Sequence, residues 1–313
     1  MSHFQRKLNT QNPSIFKLLT QLYDLSGLVY LHDENHPVIA FLPQEFLVLQ
    51  QSTFSQFYQT EFNQYQISPT TQSIIEFSNF NFPSTIQSDC LSFNGGYIGF
   101  SSYDYSAYQF INASTTAQPS FFLGRYLSFL KYHDGAWYFY SFEDQAAAIY
   151  QYICQRLTQP AAHNFSLTLF EKCQARWSKQ QYLQAFRRVQ EYIKAGDCYQ
   201  INLTQEFKAI AQGSLLSRAE ALWELTHAPY AGYLKLNNFE LLSCSPELFI
   251  EFQKDRNIKT RPIKGTMPRF EDPEQDQISK NKLSNSEKDQ AENVMIVDLL
   301  RNDLSVYAET GSV

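Results

Sequence analysis

Aromatic side chains constrain this chain more than any other feature: Phe occurs 26 times and Tyr 20 times in 313 residues, against three Trp. Side chains of this width pack well on the pleated, half-buried surface of a strand, so the sequence predicts a substantial β component. The length suits two average domains or one large one, and is enough to bury a core without disulfides or metal staples. No run approaches the ~18 consecutive apolar residues of a membrane span. The acidic surplus, 31 Asp and Glu against 25 Lys and Arg for a net charge of −6, repels phosphate backbones and leaves no basic footprint for nucleic acid or an anionic lipid surface. An anionic small substrate therefore has to be held by a few placed cations or by a metal.

Cys90, Cys154, Cys173, Cys198 and Cys244 are an odd set without C-x-x-C spacing, which fits neither a disulfide framework nor a zinc ribbon. The amino terminus, Met1 to Lys7, has no signal-peptide apolar run, and a reducing cytoplasm is the expected location.

Along the chain, Val38 to Leu42, closed by Pro43, reads as a strand. The Gln- and Ser-rich stretch from Gln50 to Asp89, interrupted by Pro69 and Pro83, reads as surface connections. Gly95-Gly96-Tyr97-Ile98-Gly99-Phe100 reads as a turn feeding a strand, and lacks the lysine and spacing of a phosphate loop. Ala136 to Phe142 is expected to be a strand, and Asp144, a plausible N-cap, is expected to open a helix to Leu157. The polar segment Thr158 to Asn164, with Pro160 in it, marks the expected boundary between an amino-terminal region, 1–160, and a second region, 170–313.

The second region carries sharper signals. Ser178 with Gln181 forms a capping box, Tyr182, Phe186, Val189 and Ile193 follow at helical spacing, and Gly196 supplies the stop. Tyr199, Ile201 and Leu203 then alternate with Gln200, Asn202 and Thr204, predicting a strand with one hydrogen-bonding face. A last helix is expected from Ser284, with Glu287 at the capping-box position, to Asp303. Val294, Met295, Ile296, Val297, Leu299 and Leu300 make it apolar nearly all round, hence buried. Glu292 shares that stripe, and a buried carboxylate there is either paired with a basic residue such as Arg301 or bound to a metal.

The strings Asp197-Cys198-Tyr199-Gln200-Ile201-Asn202-Leu203, Ser245-Pro246-Glu247, Arg261-Pro262-Ile263-Lys264-Gly265-Thr266-Met267-Pro268-Arg269 and Ala291 to Asp303, in this order, resemble the chorismate-utilising enzymes. The resemblance is strongest from about Ser178 to Asp303, and it is closest to the branch that aminates chorismate at C4 toward para-aminobenzoate and folate. It implies an α+β fold, a sandwich of two mainly antiparallel sheets with outer helices and the site between the sheets, and Mg²⁺ as cofactor. Glu292 is then a metal ligand, Glu247 the general acid and base at the 4-hydroxyl, and Lys264 the nucleophile at ring carbon C2. Gln200, Asn202, Gly265 and Thr266 are then substrate-binding positions. Gln200 stands where water-adding members of the superfamily place a lysine, and glutamine cannot serve as that base. The sister anthranilate-forming branch typically carries alanine where Lys264 stands and is the first alternative. A non-catalytic remnant of the family is the second.

The resemblance further implies a separate glutamine amidotransferase subunit, since neither Cys154 nor Cys198 sits in a nucleophile elbow. It also implies a longer chain: relatives continue well past Val313 with further site residues, and a truncated or partial sequence is expected. Ser305-Val306 replaces the Gly-Arg usual after R-N-D. Tyr30-Leu31-His32-Asp33 stands in place of the L-L-x-S motif that forms part of a tryptophan pocket in many relatives.

Overall fold

The computed structural model describes residues 4–8, 13–32, 36–69, 93–107, 110–111, 117–253 and 256–313. Its centre is a seven-stranded sheet. In spatial order the strands are Phe4–Lys7, Ala136–Ser141, Ser128–His133, Val38–Ala40, Leu28–Leu31, Tyr230–Leu236 and Phe239–Ser245, each neighbouring pair antiparallel. Successive side chains alternate between two buried faces. Tyr30, Ile39, Leu130, Phe139 and Tyr233 meet the helices Ile15–Gln21, Ala146–Thr158 and Leu216–Thr226, through Leu18, Leu19, Ile149, Ile153, Leu216 and Ala219. Their neighbours Val29, Val38, Ala40, Phe129 and Leu234 face the other way, onto Ile98 and Phe122 of a second sheet. Burial on both faces explains why strands such as Val38–Ala40 are unbroken apolar runs.

The second sheet is five-stranded and antiparallel, in the order Gln64–Pro69, Thr53–Glu61, Glu45–Gln50, Phe121–Tyr126 and Gly96–Ser101. The expected α+β sandwich of two antiparallel sheets with helices outside is therefore the fold. The hairpin Thr53–Pro69 corrects the reading of residues 50–69 as surface connections; residues 70–92 lie outside the described residues. Its Gln and Ser positions hide a strand pattern whose aromatic members pack: Phe57 stacks on Phe46 with ring centroids 4.5 Å apart. One carboxylate is taken into this sandwich. Glu143 accepts from the Ser128 hydroxyl, which itself meets the Ser141 hydroxyl at 2.9 Å. Burial pushes the Glu143 carboxyl above its ordinary range, against the lowering effect of Ser128, Gln44 and Arg125.

Local signals outside the sheets are met in part. Ser178 and Gln181 form the capping box, with Ser178 N–H donating to Gln181 Oε1 at 2.8 Å and Gln181 N–H to Ser178 Oγ at 3.3 Å. The helix Lys179–Ala195 ends at Gly196 in the left-handed region. The helix Ala146–Thr158 starts one residue later than an Asp144 N-cap would give, and its N-cap Gln145 makes no side-chain cap bond. The last helix runs Glu287–Ser305 and is capped by Ser286, not Ser284. Ser284 instead ends a preceding helix, Pro273–Ser284, and the two-residue corner between the helices moves the cap. Among the described residues no helix is long and apolar enough to cross a membrane.

Candidate active site

Two segments far apart in sequence are joined by one hairpin. Leu248–Phe252 pairs with Ile258–Arg261, Leu248 opposite Arg261, so the residues just outside that last pair, Glu247 and the Pro262-Ile263-Lys264 stretch, emerge at the same end. Glu247 Oε1 accepts the Ile263 N–H at 2.8 Å. The expected general acid is thereby fixed one residue from the expected nucleophile. Lys264 is half-buried, and among the described residues no carboxylate lies within ion-pairing range of it.

Gly265 turns this loop onto the last two helices. Its φ is +75°, a region where an L side chain is strained, and a Cβ built there would lie 2.9 Å from Leu283 Cδ1 and 3.0 Å from Asp289 Cβ and Cγ. Glycine is required on both counts. Asp289 lies three residues before Glu292, on the same helix face, so the Lys264 loop sits at the amino-terminal end of the helix that carries the expected metal ligand. Thr266 is exposed.

Gln200 and Asn202 meet the same helix further along. With Tyr199 they form one side of a cavity of about 710 Å³, and Met295, Ile296, Asp298, Leu299 and Asn302 form the other. Neither Lys264, Glu247 nor Glu292 lines it. At 1.5 Å per residue, Asp289 and Asp298 are separated by roughly 14 Å along the helix axis. The structure thus brings Glu247, Lys264 and Gly265 together, and separately Gln200 and Asn202, with the helix Glu287–Ser305 as the common wall.

Two expectations about this wall are corrected. Residues 199–204 form no strand: alternation supplies two faces, but a ladder needs a strand alongside, and the facing element is the last helix. Gln205 anchors the segment instead, donating to Trp177 O at 2.9 Å and accepting from Trp177 N–H at 3.1 Å. The last helix buries no residue, and Val294 and Leu299 are 68% and 53% exposed. Its apolar run has no packed layer over it among the described residues. Glu292 is half-buried, and Arg301 reaches Asp298, not Glu292, at 3.8 Å.

Among the described residues no three His, Cys, Asp or Glu side chains gather as a metal site. One carboxylate at position 292 falls short of the several oxygens Mg²⁺ takes in near-octahedral array, so these residues do not by themselves make a magnesium site. Sequence reasoning missed Asp289, Asp298 and Asn302. The signal for Asp289 was present, a carboxylate one turn before Glu292.

The sequence matches the chorismate binding enzymes over residues 30–313. It is 44% identical over 174 residues to "Aminodeoxychorismate synthase component 1" of Klebsiella aerogenes, 56% of this chain and 38% of that protein. It is 37% identical over 239 residues to the protein of the same name from Salmonella typhimurium, 71% of this chain and 49% of that one. The chain spans less than half the length of either. The solved structure of anthranilate synthase component I from Streptococcus pneumoniae superposes with a TM-score of 0.71 at 20% identity, over 88% of this chain and 62% of that one, a likeness of fold. With the match running over nearly the whole chain and the two-sheet sandwich in place, this chain belongs to the chorismate binding enzyme family.

Proposed function

We propose that this chain is the chorismate-binding portion of an aminodeoxychorismate synthase, a cytoplasmic enzyme that converts chorismate and ammonia to 4-amino-4-deoxychorismate. A separate glutamine amidotransferase subunit supplies the ammonia. The observation that supports the reading is the bond from Ile263 N–H to Glu247 Oε1, which ties the Glu247 carboxylate to the residue before Lys264. The names of the relatives point to the same chemistry.

In this mechanism the nitrogen lone pair of Lys264 attacks ring carbon C2, the two conjugated ring double bonds each shift by one place, and the C4–O bond breaks. Glu247 gives its proton to the departing oxygen, which leaves as water. Ammonia then adds at C4, the two double bonds shift back, and the C2–N bond to Lys264 breaks, releasing the amine, while the proton lost by the C4 ammonium returns to Glu247 and restores its acid form. The residues do this by position: Glu247 is held through its own loop contact, and Gly265 presents Lys264 from a turn with no freedom to take a side chain.

The test is mass spectrometry of the Lys264 peptide after incubation with chorismate, which should carry substrate-derived mass. Arginine stays protonated and cannot attack carbon, so in protein restored to the length of its relatives Lys264→Arg should be as inactive as Lys264→Ala. Substantial turnover by Lys264→Arg with saturating ammonia would remove the covalent role and move the chain toward the anthranilate-forming branch.

A further inference from the structure

The Lys264 loop is fixed at one end by Glu247, and its other end is held just as firmly by residues with no part in the chemistry. Asp276, in the first turn of the helix Pro273–Ser284, accepts three hydrogen bonds from the residues that close the loop: Arg269 Nε at 2.7 Å, Arg269 Nη2 at 2.9 Å and Phe270 N–H at 3.1 Å. One turn on, the buried hydroxyl of Ser279 donates to Pro268 O at 2.6 Å. Asp272 caps the helix by accepting from Glu274 N–H at 3.0 Å, so the helix that carries the clamp is itself anchored.

Arg269 is largely exposed, and an ordinary surface ion pair contributes little. This one is bidentate, shares its carboxylate with a backbone N–H, and sits one turn from a buried hydroxyl–carbonyl bond, the geometry in which such pairs do fix a backbone. Between the two anchors, Ile263 and Pro268, lie Lys264, Gly265, Thr266 and Met267. Four residues restrained at both ends and pressed against Asp289 and Leu283 at Gly265 have little room to move.

We propose that Asp276 and Ser279, with Arg269, are positioning residues for Lys264: they set where its amine stands by clamping the far end of its loop. The proposal rests on the reading of Lys264 as a nucleophile for its purpose, but not for its test.

The test is the rate at which acetic anhydride acylates Lys264 in the folded chain, read by mass spectrometry against the exposed Lys194 of the helix Lys179–Ala195 as internal standard. Asp276→Ala and Ser279→Ala should each raise the Lys264 to Lys194 ratio about fivefold as the loop is released. Asp276→Asn keeps an acceptor oxygen and should recover part of that change; Ser279→Thr keeps the hydroxyl and should stay within about twofold of the parent. If the clamp served only to hold its own helix, amide exchange over 273–284 would quicken while the Lys264 ratio stayed within about twofold, and that result overturns the proposal. So does a Ser279→Thr variant as reactive as Ser279→Ala. Chorismate is absent from this assay. A chain whose Lys264 labelling follows the clamp but never gains chorismate-derived mass loses the proposed function and keeps the clamp; the converse result loses the clamp alone.

Discussion

Two helices of this chain show what a run of apolar residues does and does not specify. Ala146–Thr158 places Ile149, Ile153 and Leu157 four apart, and all three are buried against the seven-stranded sheet. Glu287–Ser305 carries six apolar residues in the seven positions from Val294 to Leu300, yet none of its residues is buried. The first helix has a sheet to meet and the second a cavity and a loop. Apolar periodicity says which face would be buried, and a facing layer decides whether it is.

The widest gap between the two should appear in truncation of their apolar side chains. Ile153→Ala opens space in a packed core and should cost about 2–5 kcal/mol in urea unfolding, whereas Leu299→Ala should stay within about 0.5 kcal/mol. Equal losses would mean that the last helix is covered in solution. A finer contrast lies between two glycines of positive φ. Gly196 has open space where a Cβ would stand, and Gly265 has Leu283 and Asp289. Alanine at either position meets the ~1–2 kcal/mol strain of a left-handed L residue, but only Gly265→Ala adds the ~1–3 kcal/mol of forced packing. Thermal unfolding of the pair measures the difference, and identical shifts would show that the Lys264 loop does not rest on the helix pair.

The smallest effect is in pH, and its sign differs between the regions. Burial raises the Glu143 carboxyl in the sandwich, so the stability it contributes is fully present below the unfolded carboxylate's pKa and is lost as pH rises through the raised folded value. The hydrogen bond from Arg269 holds Asp276 below its ordinary range, so its contribution is present above the unfolded pKa and is lost as pH falls through the lowered folded one. In stability measured against pH, Glu143→Gln should flatten the first slope and Asp276→Asn the second. A Glu143→Gln profile that parallels the parent from acid to neutral would remove the carboxylate from the sandwich's titration.

How much of this was legible in the sequence followed the range of the interaction. The helix Lys179–Ala195 could be bounded to the residue because the Ser178–Gln181 box and Gly196 act over three or four positions. The two-sheet architecture was legible from aromatic content and resemblance, but not the hairpin Thr53–Pro69, whose polar residues break the apolar alternation even where, as at Gln56, the side chain is buried and bonded to Glu45. Lys264 and Glu247 were identified by motif. Their link was not, because Glu247 and Ile263 are joined through the hairpin Leu248–Arg261 and not by spacing. The Asp276 clamp was missed because Arg269 and Asp276 meet only through the turn into the helix Pro273–Ser284, and the exposure of the last helix because apolar content was taken for burial.

The seven-stranded sheet also fixes an order of events in making the protein. Leu28–Leu31 lies between Val38–Ala40 and Tyr230–Leu236, and Val29 is paired with Leu234 about 200 residues later. As the chain leaves the ribosome, the early strands can pair among themselves, but one side of Leu28–Leu31 stays open until Tyr230–Leu236 arrives. At ~5–20 residues per second that interval is roughly 10–40 seconds. For that time an apolar strand with a free hydrogen-bonding edge, the kind of surface that recruits stray strands, must be shielded by the hairpin partners already made or by a chaperone.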